Sequence, residues 1–167
     1  MALYVDYAFY TFLYGEIPEQ DFNRLAWDAC KKLDNFTTGA DGYKKLKWAF
    51  PVDEDDAEAV KQCAAKLIYI LQQIEEAEKS VTAGRGYEKT ENGIRGKVIT
   101  NISSGSESIS YSAGNSASYS NATIIDKALA DKTAQNKLFS DTVREYLSGV
   151  TDANGVKLLF MGVYPCV

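Results

Sequence analysis

Histidine is absent from all 167 residues. Without an imidazole there is no Ser-His-Asp or Cys-His machinery, no imidazole proton shuttle at neutral pH and no His-ligated metal. Cysteine is scarce. Cys30, Cys63 and Cys166 are an odd number, widely spaced, and no CxxC pair exists, which excludes a zinc knuckle or a thioredoxin-like site. Two of them fall on the apolar faces of expected helices and read as small buried hydrophobes in a reducing compartment. Long apolar runs are missing too. No stretch approaches the ~20 residues that cross a bilayer, and Met1–Asp6 has neither a basic leader nor a long apolar run, so no signal peptide and no membrane contact are expected. The sequons at Asn35, Asn101 and Asn121 then read as chance. Positive charge is in deficit, with 18 Lys and Arg against 23 Asp and Glu. That balance argues against tight binding along a nucleic-acid backbone, which needs clustered cations.

What remains is an ordinary globular composition, 46% hydrophobic and 25% charged. Tyr4, Tyr7, Phe9, Tyr10, Phe12 and Tyr14 crowd the start, where Asp6 can cap a short helix ending at Gly15. Such rings anchor a terminus onto a core. A helix opens at Pro18, with Glu19 and Asp21 at its positive end. Phe22, Leu25, Ala26, Ala29, Cys30, Leu33 and Phe36 recur at helical spacing on one face. Residues 39–50 read as a connection with a basic-aromatic cluster, Tyr43, Lys44, Lys45, Lys47 and Trp48, here a solvated loop with an anchored Trp. The next helix has Asp53 as its cap and Glu54, Asp55, Asp56 and Glu58 in its first turns. Val60, Ala64, Leu67, Leu71, Ile74 and Glu78 trace one face, with Cys63, Ile70 and Ala77 beside it. The carboxylates lack the glycine and alternating ligands of an EF-hand, and the helix dipole suffices to explain them.

Composition then shifts. Residues 83–96 read as a mobile loop. Gly93–Lys97 has a Gly-Lys pair, but the spacing is wrong for a P-loop. Residues 98–125 hold one charged residue, Glu107, and nine serines. Within them, Lys97–Ile102 is rich in β-branched residues and Ser106–Ser112 alternates strictly. Two such runs about a Gly-containing turn read as a β-hairpin with Ile109 and Tyr111 on one face. A third helix is expected over about 126–148, with Leu138, Phe139, Thr142, Val143, Tyr146 and Leu147 as its stripe and Gly149 beyond it. After an Asn154-Gly155 turn, Val156–Tyr164 is too apolar to stay in water; it reads as a strand covered on both faces by docking to a partner, with Phe160 and Tyr164 as aromatic anchors, or else as a tail packed on its own helical bundle.

The architecture these segments predict is mainly α: a small antiparallel helical bundle with an attached β-hairpin and an extended C-terminal tail. One domain is expected over 1–167, with a helical core at about 18–79 and 126–148, a mobile loop and hairpin at 83–123 and a docking tail at 156–167. The order of parts resembles the head-tail connector, or adaptor, proteins of long-tailed phages and prophages. The resemblance is carried by Tyr14-Gly15 followed by Ile17-Pro18-Glu19-Gln20-Asp21-Phe22. It continues with Ala57-Glu58-Ala59-Val60 leading into Cys63-Ala64-Ala65, then Ile109-Ser110-Tyr111-Ser112, and finally Leu158-Leu159-Phe160-Met161-Gly162-Val163.

That resemblance implies a non-enzymatic virion protein without cofactor or metal. It would form a ring, commonly of twelve subunits, between the portal of the DNA-filled head and the stopper or tail-completion protein. It would be made in the host cytoplasm, with DNA passing through the lumen. A net negative charge suits a channel in which DNA slides. The interface residues expected are Ile102, Ile109, Tyr111, Leu158, Leu159, Phe160, Met161 and Tyr164. Two alternatives stand beside this: a non-viral helical adaptor docking a partner through the same tail, and an enzyme built on the carboxylates near Asp53, for which no converging second group is evident.

Overall fold

The computed structural model describes residues 3–82, 87–90, 93–103, 108–113, 127–129 and 131–165. It is mainly helical. Four helices and a fifth of four residues follow the expected order, in a helical bundle: α1 (Tyr7–Tyr14), α2 (Glu19–Thr37), α3 (Lys45–Trp48), α4 (Glu54–Thr82) and α5 (Lys132–Leu147). Three strands lie between α4 and α5: β1 (Tyr87–Thr90), β2 (Gly93–Ser103) and β3 (Ser108–Ala113). The chain divides into two compact units, Met1–Leu71 with Phe139–Val167, and Gln72–Leu138.

In the first unit the helices start and stop for local reasons. Asp6 accepts a hydrogen bond from the Phe9 amide at 2.8 Å and caps α1, and Gly15, at φ +90°, ends it. Pro18 precedes α2, whose first turn carries Glu19 and Asp21. Asp53 caps α4, accepting from the amides of Asp55 and Asp56 at 3.1 and 3.2 Å. The face of α2 predicted from spacing is the face that is buried: Phe22, Leu25, Ala26, Ala29, Cys30 and Leu33, with Phe36 half-buried.

α4 departs from a one-sided helix. Cys63, Ala64, Ala65, Leu67, Ile68 and Ile70 are all buried, so this stretch is enclosed on most sides, while Leu71 is only half-buried. The neighbours that enclose the unit are tied by rings. Tyr14 of α1 stacks on Tyr69 of α4, centroids 4.8 Å apart. Tyr7 and Tyr10 meet Phe22 of α2 at 5.3 and 5.6 Å. Tyr4 stacks on Phe50 at 5.8 Å and donates its hydroxyl to Asp34 at 2.5 Å. From α2, the Lys32 ammonium sits over the Phe139 ring of α5 at 4.3 Å. The aromatic N-terminus is thus an anchor, although Phe12 stays 86% exposed.

In the second unit β1 pairs antiparallel with the first part of β2, from Tyr87↔Gly96 to Thr90↔Gly93. β3 pairs with the rest, from Lys97↔Ala113 to Ser103↔Ser108, with a bulge between Ile99 and Asn101. The sheet order is β1-β2-β3. The strands expected over 97–102 and 106–112 thus correspond to β2 and β3 of a three-stranded sheet to which β1 is added, and 83–96 is not simply a mobile loop, since residues 87–90 and 93–96 lie in strands. Pairing explains this: a lone hairpin is marginal in water, and a third strand satisfies more backbone. The expected turn at 104–107, residues 114–126 and Cys166 lie outside the described residues. The third helix is shorter than expected, beginning at Lys132 after a separate helical turn at 127–129.

Two measurements check this core. Leu67 is fully buried, so Leu67→Asp takes a carboxylate out of water and lowers stability by about 4 kcal/mol or more in denaturant titration. Burial, then the neighbouring Tyr146, pushes the Tyr14 phenol from 10.0 up to about 12. Its neutral form is favoured by the fold, so its contribution is complete below pH 10 and is lost as pH climbs towards 12. Absorbance titration of tyrosinate will show a late step near pH 12 that disappears in Tyr14→Phe.

Candidate functional site

The residues after α5 do not form the covered strand predicted for them. Gly149, at φ +92°, turns the chain out of the helix. Asp152 then builds a tight turn: its Oδ1 accepts from the Asn154 and Val156 amides, both at 2.9 Å, and Gly155 takes φ +75°. The expected Asn154-Gly155 turn is present, closed by an isolated bridge between Thr151 and Lys157. Beyond it the chain runs back along the loop joining α2 to α3.

Four alternate residues of this segment are tied down. The Leu158 amide donates to the Val150 carbonyl at 2.9 Å, and the Leu158 carbonyl accepts from Lys45 Nζ at 3.0 Å. The same ammonium donates to the Phe160 carbonyl. The Gly162 carbonyl accepts from the Ala40 amide at 3.2 Å. The Tyr164 amide donates to Asp41 Oδ2 at 3.1 Å, and its hydroxyl donates to Asp152 Oδ2 at 2.5 Å while accepting from Asn154 Nδ2 at 2.9 Å. The Tyr164 ring stacks on Tyr43, centroids 4.0 Å apart.

Lys45 is the pivot. It is fully buried, an environment lysine tolerates only when its donors are used. Burial pushes its pKa down, and the charges of Asp152 and then Asp41 pull it partly back. The Tyr43 amide, the first of several donors, holds the Asp41 carboxyl below its usual value. Burial and the bond to Asp152 raise the Tyr164 phenol, so it remains a donor at neutral pH. Phe160 folds over this network, its ring 5.7 Å from Lys45 Nζ and close above Gly162, where an added Cβ would lie 2.3 Å from the ring.

The tail residues therefore separate. Leu158 and Tyr164 are buried in their own chain and Leu159 is half-buried, whereas Phe160, Met161 and Val163 are 47%, 59% and 70% exposed. Tyr164 is an anchor inward, not towards a partner. Ile102 stands opposite Ile109 across β2 and β3, and Tyr111 opposite Ile99; these positions share a sheet with one another and belong to the second unit. The basic-aromatic cluster also divides: Lys45 and Leu46 go inward, while Lys44, Lys47 and Trp48 are exposed, so Trp48 is not the anchor predicted. Spacing did not mark Lys45, Asp41 or Asp152 as site residues. The Asp152-Ala153-Asn154-Gly155 turn is the only local signal among them.

The acidic start of α4 does more than answer the helix dipole. Asp56 Oδ2 accepts from both the amide and the hydroxyl of Thr151, at 2.9 and 2.8 Å, pinning the end of the bundle. Among the described residues no group of three or more His, Cys, Asp or Glu is placed to hold a metal, and no helix is long and apolar enough to cross a membrane. Cys30 and Cys63 are free and buried, and burial pushes the Cys63 thiol from 9.0 up to about 12. Compared with family models, curated proteins and solved structures, the chain matches none.

Asp56→Ala removes the acceptor of both Thr151 donors and will lower stability by about 1–2 kcal/mol. Asp55→Ala, on an exposed side chain in the same turn, will shift it by about 0.5 kcal/mol or less. Urea melts of the two variants side by side make the comparison.

Proposed function

We propose that the chain is a ring-forming connector that joins the portal of a DNA-filled phage head to the stopper or tail, and that the segment after α5 is its docking element. The observation that carries this reading is the exposure of Phe160, Met161 and Val163 on a segment whose alternate residues are tied to the fold. Three large apolar side chains within four positions, held in water, are what an interface core supplies. The order of motifs resembling head-tail connectors supports the same reading, as does the net charge of −5, which suits a lumen that DNA traverses. In this reading the ring holds about twelve copies, as in the proteins it resembles, needs no cofactor, performs no catalysis, and resides in the virion after assembly in the host cytoplasm. In this reading β2 and β3, with Ile102, Ile109 and Tyr111, supply contacts between subunits or with the next ring.

The docking claim is narrower than the six-residue apolar tail suggests. Leu158 and Tyr164 are spent on the chain's own core, so the outward face consists of Phe160, Met161 and Val163. Electron microscopy of the purified protein, alone and mixed with portal rings, tests the assignment directly: rings that cap the portal are expected, and a protein that stays monomeric and ignores the portal refutes it. The double variant Met161→Ser, Val163→Ser, which keeps the Phe160 ring over the Lys45 network, is expected to melt within a few degrees of wild type, because its sites are exposed, yet to lose portal capping. Retained capping in that variant would move the docking surface elsewhere.

A further inference from the structure

The ties on residues 158–164 are polar and converge on one network. Lys45 Nζ holds the carbonyls of Leu158 and Phe160. The two carboxylates whose charges act on that ammonium, Asp152 and Asp41, are the same groups that hold Tyr164, one through its hydroxyl and the other through its amide. Ala40, next to Asp41, binds Gly162 between them. The segment is thus fixed at 158, 160, 162 and 164. Met161 and Val163, the residues between, are the most exposed of its large side chains. A free chain end would lose backbone freedom on docking, at a cost that weakens binding; a segment already held does not.

We propose that Lys45, acting with Asp152 through Tyr164, is a positioning residue that sets residues 158–164 in their docking conformation before a partner arrives. Phe160, Met161 and Val163 then meet an apolar depression on that partner as a preformed ridge. What the ridge meets rests on the docking reading above, whereas the positioning is a property of the chain alone and is measured without a partner. A lysine suits the role because its three N–H donors sit at the end of a stem that packs like a hydrophobe, so one side chain reaches two carbonyls from inside the core.

Amide hydrogen exchange by NMR on the purified full chain tests it. The reporters are the Ala40 amide, bonded to Gly162, and the Tyr164 amide, bonded to Asp41. In Lys45→Met both are expected to exchange about tenfold faster or more, with the α4 amides from Ala64 to Ile70 unchanged. Tyr164→Phe, which keeps the stack on Tyr43 but loses the hydroxyl, carries the same test should Lys45→Met fail to fold. Wild-type exchange at both reporters in the variant that folds overturns the proposal. So does equal acceleration throughout α4, which would make the network general core stability. The double serine variant at Met161 and Val163, which keeps the Phe160 ring over the network, separates the two claims: it leaves reporter exchange at the wild-type rate, and only its portal capping bears on the docking reading.

Discussion

A helix that is apolar on nearly every side survives in water only if other elements enclose it. Residues Cys63–Ile70 of α4 impose that demand on the first unit. The buried face of α2 meets it in part. So do the N-terminal rings, with Tyr14 stacked on Tyr69, and the second half of α5, whose Phe139, Val143 and Leu147 are buried. Fully burying one such side chain is worth roughly 1.5–3 kcal/mol, so the enclosing elements are held mainly by what they cover.

The C-terminal segment is held differently. Its attachments are hydrogen bonds to an ammonium, two carboxylates and a handful of backbone groups, with one buried leucine at its start and one stacked tyrosine at its end. Directional bonds fix conformation more sharply than area burial does, and a charge-assisted bond inside a protein is stronger than a neutral one. The division of labour has a clear outcome. Polar groups take the inward side of the segment, and large apolar side chains are left outside, the reverse of the usual arrangement of a chain on its core.

The helices were legible because their signals are local. Asp6, Pro18, Asp53 and Gly149 mark ends within a turn of where the structure has them, and the stripe from Phe22 to Leu33 repeats at the helical period. β1 was hidden, because Tyr87-Glu88-Lys89-Thr90 is short and charged and becomes a strand only by pairing with Gly93–Gly96. The site was the least legible part. A lysine among other lysines reads as solvated, yet Lys45 is buried and its neighbours Lys44 and Lys47 are not. Its partners lie far away in sequence, and no periodicity encodes them. Trp48 misled for the converse reason: a large ring reads as core, but at 66% exposure it borders solvent beside Lys47.

The carbonyls that satisfy Lys45 lie 113 and 115 residues further along the chain. During synthesis α3 leaves the ribosome long before them, so the Lys45 ammonium must stay hydrated until residues 158–160 emerge. A product ended before Leu158 would keep that charge without these two carbonyls, a state that favours water entry and recognition by chaperones or proteases. The late closure thus makes the burial of one charge in α3 wait on residues synthesised long after it.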